Sequence, residues 1–158
     1  MTGSSTNIHA SVLVLDGHGV IVLGRSGAGK TSLVLELLRH CRMDGTNAAL
    51  VADDRVDLSV RDNCLIAAVP ANLAGLIEVR GSGIHRMAFE PSAALDLAVR
   101  LVEPDKAERI APKGKFEVGL GIGLPTLFLP ENEPGASLRA ILSHLGLFAP
   151  WLLGKIHQ

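Results

Sequence analysis

Short runs of apolar residues, each bounded by glycine, proline or charged residues, set the pattern of this chain. Residues 12–15 and 20–23 are apolar and flank the turn-forming residues 16–19, Asp-Gly-His-Gly, so the pattern predicts a β-hairpin. Apolar residues then recur near helical spacing through residues 31–42, which predicts a helix. The chain therefore opens with a hairpin whose second strand leads through a short loop into a helix.

The rest of the chain is richer in strands than in helices. Residues 95–101 alternate with period two, as a half-exposed strand would, and residues 137–147 can form a closing helix. The charged residues 103–117 contain two prolines and a glycine and predict a mobile loop. Other predicted strands are residues 47–52, 56–60, 65–69, 76–80 and 124–129. This order of elements predicts an α/β fold.

Length and charge narrow the class of protein. A chain of 158 residues suits one domain, so we expect a single unit over residues 1–158 with a loose N-terminus at residues 1–6. The 15 basic and 16 acidic residues give a net charge of −1 without a block of either sign, which favours neither nucleic acid nor a membrane as partner. Because no signal peptide and no membrane-length apolar run is present, we expect a cytoplasmic protein.

The octapeptide after the second strand predicts that the chain binds a nucleoside triphosphate. It fits the pattern G-x-x-x-x-G-K-[ST], in which backbone N–H groups surround phosphate, the lysine reaches the outer phosphates and the hydroxyl ligates Mg²⁺. A plain glycine turn would explain the glycines but not the Lys-Thr pair that follows them. The residues are Gly24, Arg25, Ser26, Gly27, Ala28, Gly29, Lys30 and Thr31.

Three carboxylates are candidates for the chemistry beside this loop. Asp53 and Asp54 follow a predicted strand, at the edge where α/β sheets bind ligands. One of them could accept the proton of an attacking hydroxyl, although acidic pairs at strand ends also form turns or caps. Glu78 stands in an apolar strand, where a buried carboxylate requires a compensating partner. Mg²⁺ and the adjacent Arg80 are both possible partners.

Two further residues suit phosphate chemistry by type. His9 precedes the first apolar strand, where a histidine can assist proton transfer or can simply be exposed. Arg109 lies in the predicted mobile loop, where an arginine can close over a transferring phosphoryl group or remain solvated. The residue types alone leave both roles open.

Three motifs in order resemble the catalytic domain of the bacterial HPr kinase/phosphorylase family. Besides the phosphate loop, residues 50–57, Leu-Val-Ala-Asp-Asp-Arg-Val-Asp, are close to that family's L-V-A-D-D-R-V-D. Residues 77–84, Ile-Glu-Val-Arg-Gly-Ser-Gly-Ile, resemble its E-I-R-G-x-G-I signature, and His9 matches its histidine ahead of the hairpin. The resemblance covers residues 6–129 and includes the catalytic domain but not the N-terminal domain of longer members.

The resemblance implies a fold, an activity and a set of site residues. The implied fold is a P-loop-containing mixed β-sheet with flanking helices, assembled as a hexamer. The implied activity is phosphorylation of a seryl residue of the phosphocarrier HPr, with ATP and Mg²⁺. The resemblance makes Lys30 the phosphate-binding lysine and gives Thr31 and Glu78 to the metal. It makes Asp54, with Asp53 beside it, the acceptor of the seryl proton, and His9 and Arg109 supporting catalytic residues.

Two departures from the family pattern concern the phosphate site. Ser32 stands where the family usually has glutamate. Residues 130–136, Pro-Glu-Asn-Glu-Pro-Gly-Ala, replace the family's P-V-R-P-G-R-N, a segment that is tied to phosphorolysis of seryl-phosphate. Because both arginines are gone and two glutamates have entered, inorganic phosphate should bind poorly. We therefore expect kinase activity with weak or absent phosphorylase activity.

Two other functions fit a P-loop domain. A small-molecule kinase would need a substrate pocket of its own, and the sequence shows no lid segment rich in basic residues. A non-catalytic nucleotide sensor would not need the carboxylates Asp53, Asp54 and Glu78. The sequence therefore favours a protein kinase over both.

Overall fold

Strands dominate the architecture. The computed structural model describes residues 4–109, 115–118 and 120–149, and within them it has eleven strands and two α-helices. The strands are β1 Ser5–His9, β2 Ser11–Leu15, β3 His18–Leu23, β4 Ala48–Ala52, β5 Arg55–Arg61, β6 Cys64–Ala68, β7 Leu76–Val79, β8 Gly83–Arg86, β9 Ser92–Val102, β10 Lys115–Phe116 and β11 Leu124–Pro130. The helices are α1 Lys30–Met43 and α2 Pro134–His144, and Ala71–Leu73 and Pro104–Lys106 form short 3-10 helices.

The long strand β9 organises the main sheet. Its beginning pairs antiparallel with β6, and its later part runs parallel to β3 and to β11. Because both parallel partners pair with residues 98–100, they lie on opposite sides of β9. The strand order is β1-β5-β6-β9-β3-β2-β4, with β11 beside β9 and β10 beside β11. The predicted mixed sheet is confirmed.

The centre of β9 is buried on both faces, so the expectation of a half-exposed strand is wrong there. Leu97, Ala98 and Val99 are consecutive, and each is at most 1% exposed. Leu97 and Val99 pack in the core that contains the apolar side chains of both helices, whereas Ala98 packs in the core on the other face. A strand with partners on both sides and a core on each face has no solvated centre.

The predicted hairpin over residues 12–23 is confirmed, but its turn is shorter than residues 16–19, because β3 already begins at His18. Asp16 and Gly17 connect β2 to β3 with φ values of +48° and +81°. Asp62 and Asn63 connect β5 to β6 with φ values of +51° and +60°. Left-handed conformations at both turn positions match the right-handed twist of the strands, and Asp, Asn and Gly tolerate them best.

The two helices pack against each other and against the sheet. The helix predicted for residues 31–42 is confirmed as α1, which buries Leu33, Val34 and Leu37. The closing helix predicted for residues 137–147 instead spans Pro134–His144. Proline suits the first position of a helix, and Gly146, at φ +73°, ends the helix in a left-handed conformation.

Other expectations about loose segments are only partly met. Ser5 and Thr6, expected to be loose, pair with Ser59 and Leu58 in the edge strand β1. Residues 1–3, and residues 110–114 of the predicted mobile loop, lie outside the described residues. Strand β8 was not predicted and forms a separate two-stranded sheet with β7. None of the helices that the structure describes is long and apolar enough to cross a membrane.

Gly19 allows β3 and β9 to approach closely. A Cβ atom at this position would lie 2.0 Å from the carbonyl oxygen of Ala94. Gly19→Ala is therefore expected to lower the free energy of unfolding by about 1–3 kcal/mol in urea denaturation. Gly135→Ala is the control, because its Cβ would meet only the flexible end of Arg139 at 3.7 Å. Equal unfolding free energies for the two variants would contradict the tight contact.

Candidate functional site

The loop that joins β3 to α1 has a backbone shaped to bind anions. Gly29 caps α1 with φ +92°, a left-handed conformation that favours glycine. The first N–H groups of a helix have no carbonyl partner within it, and the helix dipole adds positive charge at this end. The loop therefore ends at a helix N-terminus, whose backbone N–H groups are suited to bind an anion.

Lys30 is held under this loop by the loop's own backbone. Its Nζ atom donates to the carbonyl oxygens of Gly24, at 2.8 Å, and Arg25, at 3.2 Å. Burial lowers the pKa of the Lys30 ammonium group, and the carboxylates of Asp54 and Asp53 oppose that shift. The cation is thus positioned beside the loop before any phosphate arrives.

Asp53 is the polar centre of the site. Its side chain is buried directly after β4 and accepts hydrogen bonds from the hydroxyls of Ser11, at 2.8 Å, and Thr31, at 3.0 Å. The backbone N–H of Glu78 approaches the second carboxylate oxygen at 3.4 Å. One carboxylate therefore connects the start of β2, the start of α1 and the middle of β7.

Asp54 points the other way and meets solvent. Its φ of +76° is left-handed, and its side chain is 69% exposed. The Nε2 atom of His9 lies 2.5 Å from Oδ1 of Asp54, and the Ala10 N–H donates to the Asp54 carbonyl oxygen at 3.0 Å. The acidic pair therefore divides into one buried and one exposed carboxylate.

Glu78 is exposed, contrary to the sequence-based expectation of a buried carboxylate. Strand β7 lies outside the main sheet, so Ile77 is buried while the neighbouring Glu78 faces outward. Among the described residues, Glu78 forms no salt bridge, so the ion pair with Arg80 is not made. Its carboxylate needs no compensating charge and is available to a ligand.

A cavity of about 440 Å³ brings most of the predicted site residues together. Gly24, Arg25 and Ala28 of the predicted phosphate loop do not line it. The predicted residues that do are His9, Ser26, Gly27, Gly29, Lys30, Thr31, Asp53, Asp54 and Glu78. Groups suited to bind phosphate, one buried carboxylate and two exposed carboxylates thus face one space.

Arg109 lies elsewhere. It lines a second cavity of about 330 Å³, between β11 and α2, together with Glu108 and Phe128. It is not among the residues that line the phosphate cavity. Arg109 therefore lies apart from the other predicted site residues in the described chain, and its catalytic support stays a prediction.

Six residues that line this cavity were not predicted as site residues, and two of them, Ser11 and Asn132, form hydrogen bonds within the site. Ser11 opens β2 and looked like an ordinary strand residue, and only the fold brings it to Asp53. Asn132 follows β11 and donates from its side-chain amide to the Gly27 carbonyl oxygen at 3.1 Å. The sequence indicates Asn132 in part, because residues 130–136 stand in place of a family segment that is tied to phosphorolysis.

The strand, phosphate loop and helix around Lys30 and Thr31 define a P-loop phosphate-binding domain. Within that class, residues 2–144 match the family model of the HPr Serine kinase C-terminal domain. The chain therefore belongs to this family.

Individual relatives agree with this assignment. The HPr kinase/phosphorylase of Caldicellulosiruptor bescii is 32% identical over 145 residues, which are 85% of this chain and 44% of that protein. The HPr kinase/phosphorylase of Limosilactobacillus reuteri is 32% identical over 147 residues, which are 86% of this chain and 44% of that protein. This chain spans less than half the length of these curated relatives.

A solved structure confirms the fold. The Hpr(Ser) kinase/phosphatase from Coxiella burnetii aligns with a TM-score of 0.72 and 29% sequence identity. The match covers 89% of this chain and 96% of that chain. The α/β fold with a mixed sheet, expected from the resemblance, is therefore correct.

The hydroxyl of Ser11 is expected to stabilise the buried Asp53 carboxylate. Ser11→Ala removes that donor, and hydrogen bonds to charged groups contribute about 1.5–3 kcal/mol. The free energy of unfolding should fall by that amount in urea denaturation. Ser92→Ala is the control, because Ser92 is exposed on β9, and its loss should change stability by less than about 0.5 kcal/mol. A Ser11 variant as stable as the control would show that Asp53 does not depend on this bond.

Proposed function

We propose that this domain is an ATP- and Mg²⁺-dependent protein serine kinase that phosphorylates a seryl residue of the phosphocarrier HPr. The observation that carries the proposal is the exposed pair of Asp54 and His9 beside the phosphate loop, in a chain of the HPr serine kinase family. A protein that only binds nucleotide does not need an exposed carboxylate oriented by a histidine at that place.

The phosphates of ATP bind at the N-terminus of α1 and at Lys30. The free N–H groups of the first helical turn donate to phosphate oxygens, and the Lys30 ammonium group exchanges its loop carbonyls for them. Because burial has already removed water from Lys30, its interaction with phosphate is stronger than that of an exposed lysine.

The residues at the loop fit a magnesium ion. The Thr31 hydroxyl and Asp53 carboxylate are oxygen donors 3.0 Å apart, and the Glu78 carboxylate lines the same cavity. Hard divalent cations prefer oxygen donors. Among the described residues, the buried Asp53 makes no salt bridge, so a cation there would balance its charge. Thr31, Asp53 and Glu78 would hold the ion, which would supply positive charge to offset the negative charge that develops on the transferring phosphoryl group.

Asp54 accepts the seryl proton during transfer. As the seryl oxygen forms its bond to the γ-phosphorus, the bond from phosphorus to the bridging oxygen of ADP breaks. The seryl proton passes to a carboxylate oxygen of Asp54. His9, at 2.5 Å from Oδ1, holds the carboxylate so that its other oxygen is free for the acceptor. The exposure of Asp54 allows a protein substrate to reach it.

Transfer of labelled γ-phosphate from ATP to purified HPr tests this proposal. Asp54→Ala should lower the rate about 10²–10⁴-fold, since it removes the proton acceptor. Lys30→Ala should lower it about 10²–10³-fold by removing a charge that stabilises the transferring phosphoryl group.

Asp105→Ala and Lys106→Ala are matched controls, because both side chains are exposed in the Pro104–Lys106 turn. They should retain the native rate. Acid-stable label on an HPr serine that both site variants lose would support the kinase. ATP binding without label on HPr would point to another acceptor or to a nucleotide sensor.

We further propose that phosphorolysis of seryl-phosphate is weak. Residues 130–136 contain no lysine or arginine that could bind inorganic phosphate. Seryl-phosphorylated HPr incubated with inorganic phosphate and Mg²⁺ should lose its phosphoryl group at least about tenfold more slowly than the forward reaction adds it. The Lys30→Ala variant sets the background rate. Similar forward and reverse rates at physiological phosphate would refute the proposal.

A further inference from the structure

An ion pair between the exposed Arg25 and the buried Glu131 connects the segment that follows β11 to the phosphate loop. The Glu131 carboxylate accepts two hydrogen bonds from the Arg25 guanidinium, from Nε and Nη2, each at 2.8 Å. The Glu131 side chain is only 7% exposed, and its N–H donates to the Val102 carbonyl oxygen at 2.8 Å. Arg25 is thereby bonded to a residue that is itself anchored at the end of β9.

Asn132 adds a second attachment to the same loop. Its backbone N–H donates to the Ala28 carbonyl oxygen at 3.0 Å, and its side-chain amide donates to the Gly27 carbonyl oxygen. Because a trans peptide is planar, bonding the Ala28 carbonyl to Asn132 directs the Gly29 N–H to the opposite side of that peptide. A Cβ atom on Gly29 would lie 2.9 Å from the Asn132 side-chain oxygen, so the Asn132 side chain packs closely against Gly29.

This geometry changes the expected role of Glu131. From sequence, its negative charge was expected to repel inorganic phosphate. In the structure its charge is matched by Arg25, and neither side chain lines the phosphate cavity. The Glu131 carboxylate, through its hydrogen bond and its charge, raises the pKa of the Arg25 guanidinium. A bidentate pair of this kind fixes orientation as well as distance.

We propose that Arg25, Glu131 and Asn132 are positioning residues that hold the phosphate loop in its binding conformation before nucleotide arrives. A loop that is already ordered does not lose conformational freedom on binding, so affinity rises without a direct contact. This role rests on the nucleotide binding proposed above. It also means that the segment after β11 acts on the phosphate site through the backbone of the loop.

Two measurements on Arg25→Ala and Asn132→Ala separate positioning from direct contact. Both side chains are exposed. Asn132→Ala leaves no charge unpaired and is expected to fold, so it tests the proposal independently of any loss of stability that the unpaired, buried Glu131 causes in Arg25→Ala. The first measurement is the Kd for ATP with Mg²⁺, by calorimetry, which should rise about tenfold. The second is amide hydrogen exchange in the protein without nucleotide, at the hydrogen-bonded amides of Ala28, Glu131 and Asn132. Exchange there should accelerate about tenfold, while the Leu33 amide of α1 stays within about twofold of the native rate.

Two further variants test the geometry. Arg25→Lys keeps the charge but cannot form the two-pronged bond, so its values should lie between those of the native protein and Arg25→Ala. Glu103→Gln is the control, because Glu103 is half-exposed and lies 4.0 Å from the same guanidinium. It should leave both measurements within about twofold of native values.

The possible outcomes are distinct. Weaker ATP binding with unchanged exchange would overturn the proposal, because it would indicate that Arg25 or Asn132 contacts the nucleotide directly. Unchanged binding and exchange would overturn it as well. If the native protein binds no ATP, the proposed function fails, and the exchange rates alone still decide whether these residues hold the loop.

Discussion

The buried Asp53 carboxylate requires hydrogen-bond donors, and much of the site is arranged around that requirement. Asp53 lies in the interior at the end of β4, where an unpaired charge would be costly. Its donors are the hydroxyls of Ser11 and Thr31 and the N–H of Glu78, which come from three separate elements. Each hydrogen bond therefore fixes one more part of the chain near the phosphate loop. Helix α1, the β2–β3 hairpin and the β7–β8 sheet are all positioned by the same carboxylate.

The sharp change between Asp53 and Asp54 follows from the backbone. A left-handed conformation at Asp54 turns the chain so that adjacent carboxylates face different environments. Aspartate is among the few residues that adopt this conformation at low cost, which explains how one short acidic motif supplies both a buried and an exposed group. Asp53 and Asp54 are therefore adjacent in the sequence but differ in their chemical environment.

Local features of this protein could be predicted from sequence, whereas contacts between distant segments could not. The phosphate loop, α1 and the two hairpins follow from glycine positions, apolar spacing and turn residues within a few positions of each other. The bond between Arg25 and Glu131 joins residues 106 positions apart, and no local pattern indicates it. The same reason underlies the errors for Glu78 and for β9: exposure depends on which strands become neighbours. Arg109 was placed by family resemblance alone, and its contacts depend on how α2 packs on β11.

The Arg25–Glu131 pair also limits how this sequence can evolve. A mutation that removes the cation from the loop leaves a buried anion behind, and a mutation that removes the anion releases the loop. Because each single substitution is unfavourable, the residues at positions 25 and 131 should be retained together or replaced together. Substitutions in the segment after β11 and substitutions in the phosphate loop should then occur together, although the two segments lie far apart in the sequence.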